Sequence, residues 1–313
     1  MANRKVQRKK QKAVPLSNGV KKLIIGFVGQ GFVGKSYADD FARRGFKTIR
    51  YALERPYREN KEKIRDADIV FICVPAPTTP KGFDSSIVET SLNLVGNGKI
   101  AVIKSTMLPG LTQKLQKKFA KITVLFSPEF LNASTAAEDA ARPFANIVGL
   151  PEKSAKHVRA ARTVHRILPK AKFSQTVASG DAEIYKYAHN ISGFMQILTY
   201  NMVYDLAQKL GAAWSSIEKA LEHDPMVSNW YIRPVHKSGR GAGGMCFIKD
   251  FAAFARHYEE IVGKPEGIAL LRAAEAKNIS LLHATKKDLD LLKGVYGEKA
   301  LFKRNGAKKG KKR

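Results

Sequence analysis

The residues best equipped for chemistry close the stretch Gly239-Arg240-Gly241-Ala242-Gly243-Gly244-Met245-Cys246-Phe247-Ile248-Lys249-Asp250. A thiol becomes a nucleophile when a nearby cation favours its thiolate. Lys249, three residues beyond Cys246, is a candidate for that cation. Glycine at 239, 241, 243 and 244 predicts a flexible loop with no regular helix or strand running through it. Another molecule could lie against the main-chain N–H groups of such a loop. On this stretch alone a catalytic cysteine and a half-buried structural one fit equally well, and partners elsewhere must decide.

Those partners stand on the longest helical pattern of the chain, from Asp181 to Leu210. Glu183, Lys186 and Asn190 recur there at spacings of three and four, which puts them on one face. A solvated charged face is the ordinary reading of such a pattern. Tyr185, Tyr187, Ile191 and Phe194, however, predict that the helix is largely buried on its other sides. Thiol, cation, amide donor and carboxylate together are what acyl transfer requires: a nucleophile, donors for an oxyanion and a proton acceptor.

A second chemistry-bearing segment lies near the start. Lys22 to Val28 reads as a buried strand, Lys35 to Arg44 as a helix, and between them runs Gly29-Gln30-Gly31-Phe32-Val33-Gly34. Strand, glycine turn and helix in this order form the context of a dinucleotide fingerprint, with the pyrophosphate on the helix N-terminus. The same residues through Lys35 and Ser36 also satisfy the phosphate-loop pattern of nucleotide triphosphatases. That class needs an acid at the end of another apolar strand to hold magnesium. Ile69 to Val74 runs instead into Pro75, and Ile100 to Ile103 into Lys104-Ser105-Thr106. The dinucleotide reading is therefore preferred. The acid that grips the adenosine ribose would fall at Ala52; Glu54 can substitute. Arg50, Arg55 and Arg58 crowd the same place and would suit a 2′-phosphate, so NAD and NADP both stay open.

These segments need a scaffold. Strands at 47–53, 69–74, 100–104, 123–126 and 147–150 alternate with helices through residue 150. That predicts an α/β fold, a Rossmann-type doubly wound parallel sheet, followed by an all-helical domain. The expected division is a basic tail at 1–22, a dinucleotide-binding domain at 23–150, a helical central domain carrying the cysteine loop at 151–297 and a second basic tail at 298–313. Pro75, Ser105-Thr106 and Pro128-Glu129 each follow a strand's carboxyl end, where open α/β sheets bind ligands.

Composition sets the outer limits. A chain of 313 residues suits two domains, and its two cysteines cannot build a disulfide framework, which predicts a reducing, cytoplasmic setting. The apolar run at 23–28 is too short for a membrane span. The net charge is +28. Eight Lys/Arg without an acid sit in residues 1–22 and eight more in 299–313, leaving +12 on the body. Such tails are expected to be disordered and to attract nucleic acid or an anionic surface non-specifically.

Six motifs taken in order resemble the nucleotide-sugar 6-dehydrogenases, typified by UDP-glucose and GDP-mannose dehydrogenases. They are Gly29–Gly34; Val74-Pro75-Ala76-Pro77; Ser105-Thr106-Met107-Leu108-Pro109-Gly110; Pro128-Glu129-Phe130-Leu131; Ala182-Glu183 with Lys186 and Asn190; and Gly243 to Asp250. The resemblance runs from about Leu23 to Tyr296 and implies oxidation of a sugar C6 alcohol to the acid by two molecules of NAD, as in polysaccharide biosynthesis. It implies Cys246 as nucleophile, Lys186 and Asn190 as oxyanion donors, Asp250 and Thr106 holding the water and Glu129 assisting proton transfer. Gly29, Gln30, Gly31, Phe32, Val33, Gly34, Glu54, Val74, Pro75, Ser105, Thr106 and Lys249 would line the cofactor. Phe130, Leu131, Lys186, Asn190, Gly241, Gly243 and Gly244 would line the nucleotide sugar. A homodimer through the central helices is also implied. The pattern departs at Ala133, where the family carries a second carboxylate, and at Ala52. It also carries the expectation that the family's C-terminal sugar-nucleotide domain is missing. A single-hydride enzyme of the 6-phosphogluconate or 3-hydroxyacid type, and a degenerate nucleotide-binding protein with nucleic-acid-binding tails, remain as alternatives.

Overall fold

The computed structural model describes residues 22–298; the sequence readings on both basic tails lie outside them. Strands β1 (Ile24–Val28), β2 (Lys47–Tyr51) and β3 (Ile69–Ile72) are followed by a small hairpin of β4 (Thr78–Thr79) and β5 (Gly82–Phe83), then by β6 (Ile100–Ile103), β7 (Thr123–Phe126), β8 (Ala145–Leu150) and β9 (Phe173–Ala178). The main sheet has seven strands in the order β2-β1-β3-β6-β7-β8-β9. All its pairings are parallel except β7 with β8, whose antiparallel ladder is the pair Phe126 and Gly149. The doubly wound expectation holds. Strand β9 falls in a stretch the sequence reading assigned to helices; its polar Ser-Gln-Thr centre carries no apolar run to betray it.

Alternation along the strands divides the core in two. Ile25, Phe27, Phe71, Val102 and Leu125 face one side, where they meet helices α1 (Phe32–Arg43) and, further along the chain, α5 (Ala155–Ile167). Val70, Ile72, Ala101, Ile103, Val124 and Phe126 face the other, against α2 (Ser86–Leu92) and α3 (Leu111–Lys118). Each fully buried Phe or Ile contributes about 1.5–3 kcal/mol on burial. Strands β3, β7 and β8 are buried along their whole length and form the centre of this core.

Short helix α4 (Ala136–Ala141) precedes β8, and the 31-residue α6 (Ser179–Lys209) leaves the sheet straight after β9. After α7 (Trp214–His223) comes the hairpin β10 (Val235–His236) and β11 (Gly239–Arg240), then α8 (Gly244–Ile261), α9 (Pro265–Ala284) and α10 (Leu289–Tyr296). Phe194 of α6 stacks on Phe251 of α8 at 3.8 Å between ring centres. This pair centres the helical core with Leu198, Leu271 and Leu281.

The glycine stretch corrects the sequence reading. Strand β11 occupies Gly239–Arg240, and α8 begins at Gly244, so Cys246 sits in the first turn of a helix instead of on a loose loop. The glycines permit this geometry. Gly241 and Gly244 adopt φ of 90° and 78°, which turn the chain from strand into helix.

Candidate active site

Two structural units meet at the carboxyl ends of β1, β3, β6 and β7. The first is the glycine turn. Gly29 has φ of 91°, and a Cβ there would stand 2.4 Å from the Cys73 carbonyl oxygen; a Cβ on Gly34 would stand 1.9 Å from that of Gly29. Those two glycines let turn, helix and neighbouring strand close on one another. Gly31 has open space around it and leads into α1, whose first turn has no side-chain cap. A helix start with free N–H groups beside a bare glycine fits a diphosphate.

Around this turn, Gln30 donates to the Gly29 carbonyl, and Ser105 Oγ donates to the Val74 carbonyl at 2.6 Å, tying the loops after β3 and β6 together. Phe32 and Val33 open α1. Lys35, the residue a phosphate loop would aim at its ligand, pairs with Asp39 one turn along α1, and Arg50 pairs with the same carboxylate. Both cations are thereby engaged by one carboxylate, that of Asp39. Ala52 is buried at the end of β2, and Glu54 is exposed just beyond it, with Tyr57 and Arg58 donating to its carbonyl.

The second unit is the cysteine cluster. Asn190 Nδ2 donates to Asp250 at 2.6 Å, and Lys249 pairs with the other oxygen of the same carboxylate. Lys186 Nζ donates to the Glu129 carbonyl at 2.6 Å and to its carboxylate at 3.3 Å, while the backbone N–H of Leu131 donates to the remaining oxygen. Lys186 also lies 5.2 Å from the Phe130 ring centre. Lys186, Asn190, Glu129 and Asp250 are all buried. Lysine and asparagine reach the site from α6, glutamate from the end of β7, and thiol and aspartate from α8.

Charge distinguishes these groups. Burial raises the Cys246 thiol above its ordinary value; Asp250 pushes the same way, and Lys186 pulls it down. Lys249, the cation suggested by spacing, acts on the sulfur more weakly than Lys186 and pairs with Asp250. The first-turn N–H groups of α8 also favour a thiolate at this position. For Lys186 burial pulls downward, but Glu129, Cys246 and Asp250 outweigh it and the ammonium is held more firmly than usual. A permanently charged donor is thus held beside a thiol.

Glu183 shares the helix face of Lys186 and Asn190 without sharing their site. It accepts from the N–H groups of Gly110 and Thr112 and from the Thr112 hydroxyl, and so caps the start of α3. Thr106 is buried on the loop after β6 and makes no side-chain hydrogen bond to the cluster. Gly241 and Gly243 are explained by packing. A Cβ on Gly243 would stand 2.0 Å from Asp288 Oδ2, and one on Gly241 3.1 Å from Asn278 Oδ1. The N–H groups of Ala242 and Gly244 donate to Asn278 and Asp288, and Lys287 donates to the Gly239 and Gly241 carbonyls. This pinning contradicts the expected flexible loop: buried polar side chains from α9 and the turn before α10 hold it in place.

Sequence reasoning missed those pins, and it missed Tyr231. That ring packs edge-on against Phe247 at 5.6 Å and feels the charges of Lys186 and Cys246. The aromatic run Trp230-Tyr231 just before the glycines was its only signal. Lys104 was also missed. It is buried at the end of β6, donates to Ser127 Oγ at 3.2 Å and lies 4.5 Å over the Tyr37 ring. Among the described residues no cluster of His, Cys, Asp and Glu could hold a metal, and no helix is long and apolar enough to cross a membrane.

Comparison with known proteins follows the same two units. Residues 54–168 match the model of the UDP-glucose/GDP-mannose dehydrogenase family, NAD binding domain, and residues 180–279 that of the central domain. The UDP-N-acetyl-D-mannosamine dehydrogenase of Methanocaldococcus jannaschii is 27% identical over 91% of this chain and 72% of its own length. For the UDP-glucose 6-dehydrogenase of Rickettsia conorii the figures are 25%, 69% and 50%, so the chain spans about half of that relative. In structure, the UDP-glucose dehydrogenase of Pyrobaculum islandicum aligns with a TM-score of 0.72 at 24% identity, covering 87% of this chain and 73% of that one. A 3-hydroxyisobutyrate dehydrogenase of Mycobacterium tuberculosis aligns at 0.65 with 16% identity, covering 88% and 98%. At such identities the structural likeness speaks for the fold alone.

Proposed function

The chain belongs to the UDP-glucose/GDP-mannose dehydrogenase family, and from that premise we propose that it oxidises the C6 alcohol of a nucleotide sugar to the carboxylate through a thioester on Cys246. NAD, seated on the Gly29–Gly34 turn with its diphosphate toward the α1 N-terminus, would accept the two hydrides. The observation that carries the reading is the convergence of Cys246, Lys186, Asn190, Asp250 and Glu129 from three separate elements next to that turn.

Each group has a task that its surroundings fit. Cys246 adds its sulfur to the C6 aldehyde, and the thiohemiacetal oxygen takes the proton. Lys186 and Asn190 are buried donors suited to an oxyanion that develops at that carbon. Loss of the second hydride leaves the thioester; water then attacks, the sulfur departs as thiolate and the acid is released. Asp250 and Glu129 are the carboxylates within this cluster that can accept the water's proton. Phe130 covers Lys186 and keeps bulk water from its charge.

The decisive measurement is stoichiometry. The full chain with NAD and UDP-glucose, or another UDP- or GDP-sugar, should form two NADH per sugar consumed, and Cys246→Ser should form none of the acid. A folded protein that is stabilised by NAD yet oxidises no sugar of the panel refutes the reading. A ratio of one that survives loss of Cys246 selects the single-hydride alternative.

We further propose a homodimer built on α6. Ile184, Met202, Val203, Leu206 and Leu210 are exposed along it, and α7 buries none of its residues. A light-scattering mass of one chain would refute this.

A further inference from the structure

The dehydrogenase reading leaves one strongly charged surface unused. Between residues 153 and 172 stand Lys153, Lys156, Arg159, Arg162, Arg166, Lys170 and Lys172, with no acid among them. The body of the chain outside the basic tails carries +12, so these 20 residues hold more than half of it. All seven are exposed, and among the described residues none of them forms an ion pair. Lys156, Arg159, Arg162 and Arg166 recur at three- and four-residue spacing, so they form a stripe about 15 Å long on the outer face of α5. The opposite face, with Ala160, Ala161, Val164 and Ile167, is buried against the sheet and fixes the stripe's direction.

The stripe continues onto an open sheet edge. His165 of α5 bonds to the Thr176 hydroxyl of β9 at 3.1 Å, so helix and strand form one surface. Among the described residues strand β9 pairs with β8 alone, and it exposes Ser174, Gln175 and Thr176. At its head Phe173 is 54% exposed, directly after Lys170 and Lys172. At the start of α5, Lys117 of α3 lines the same recess as Pro151 and Glu152 and adds another cation; Glu152 is the one acid at that end, and it faces His157.

We propose that α5 and the head of β9 form a binding face for single-stranded nucleic acid, with the cations on the phosphates and Phe173 stacked on a base. Single-strand binders combine a cationic track with an aromatic platform in this way. An anionic membrane would need apolar side chains entering the lipid along the face; α5 exposes no large apolar residue, and Phe173 and Phe144 are exposed only at one end. The stripe runs along the outer face of α5, while at the other end the Phe173 N–H donates to the carbonyl of Phe144, whose ring packs on Phe130 beside Lys186; the face stands whether or not the chain oxidises a sugar.

The test uses the full chain and a labelled oligouridine of about 20 nucleotides, with anisotropy read across a salt series. Replacing Arg159, Arg162 and Arg166 together by Gln should weaken binding about tenfold at about 100 mM salt and flatten the log–log salt slope by about 2. Phe173→Ala should weaken binding about fivefold or more and leave the slope unchanged. An oligothymidine bound equally well assigns the face to single strands generally; preference for oligouridine assigns it to RNA. Unchanged affinity and slope in the triple variant overturn the proposal, as does binding to phosphatidylserine vesicles without binding to either oligomer. Should the triple variant melt early, ultraviolet cross-linking of the unmodified chain decides: cross-links at 153–178 support the face, and cross-links confined to the tails refute it.

Discussion

Two thiols flank Glu129, each with a buried lysine at hand, and their settings differ. Cys73 follows β3 and shares its surroundings with Lys104; Cys246 opens α8 and faces Lys186. Burial pushes the Cys73 thiol up to about 12, against the pull of Lys104. Lys104 is itself driven down to about 8 by burial, whereas Lys186 is raised. What separates the two lysines is direct bonding. Lys186 has a carbonyl and a carboxylate oxygen of Glu129 in reach, while Lys104 has a hydroxyl and a ring face. A buried ammonium keeps its charge only where full acceptors replace its water. The same pairing of residue types thus gives a poised site on one side of Glu129 and an inert one on the other.

The most severe way to test that contrast is to remove each sulfur in turn. Cys246→Ser should lower NADH formation from the accepted nucleotide sugar by roughly 10³-fold or more, the scale on which loss of a nucleophile acts. Cys73→Ser should leave turnover within about threefold, less than about 1 kcal/mol of barrier. Equal losses would erase the distinction between the two thiols. Removing the lysines comes next. Lys186→Met should lower kcat by about 10²–10³-fold, as for a lost oxyanion donor, and should lower the melting temperature because Glu129 is left buried without its cation. Lys104→Met should cost less than about tenfold in kcat, near 1.4 kcal/mol of barrier at most.

Much of this is legible in the sequence. Buried strands ending in glycine or proline revealed the sheet and its ligand-binding edge, because a strand buried on both faces must be written as an apolar run. The spacing of Lys186 and Asn190 placed both on one face, and the structure brings both into the cysteine cluster. Glu183 shares that spacing and yet caps α3, since periodicity gives direction around a helix and not what stands opposite. The glycine stretch failed for a related reason. Its rigidity comes from Asn278, Lys287 and Asp288, polar residues 36 to 48 positions away from the groups they hold. No local pattern announces them. Lys104 also escaped notice, because a lysine next to Ser-Thr after a strand looks like any solvated loop cation until its burial is seen.

That burial has a consequence for stability. The folded-state pKa of Lys104, about 8, lies below its ordinary 10.5. Above both values the lysine is neutral in either state and contributes nothing. As pH falls from about 10.5 to about 8 the unfolded chain binds a proton that the folded chain refuses, so stability declines through that window. Below about 8 the penalty is complete, about 3 kcal/mol for a shift of this size. Lys104→Met should therefore raise the melting temperature at pH 7 by a few degrees, and the gain should vanish by about pH 10.5. A gain that persists unchanged across that window would mean that packing, and not the charge, is responsible.

The smallest effect, and the one that separates the two sulfurs most cleanly, is their pH-dependent alkylation by iodoacetamide, followed at each residue by mass spectrometry. Only the thiolate reacts. Cys246 should titrate above the ordinary thiol value because burial and Asp250 both favour its protonated form, and Cys73, raised to about 12, should stay silent across the accessible range. Neighbouring charge then moves the Cys246 curve in opposite senses. Asp250→Asn removes a negative charge that opposes the thiolate and should shift the midpoint down; Lys186→Met removes the cation that supports it and should shift the midpoint up. The signs are fixed by the charges, whereas a purely structural loosening would expose the sulfur and lower the midpoint in both variants. Parallel shifts in the two would therefore mean that solvent access, and not the Lys186–Asp250 balance, governs this thiol.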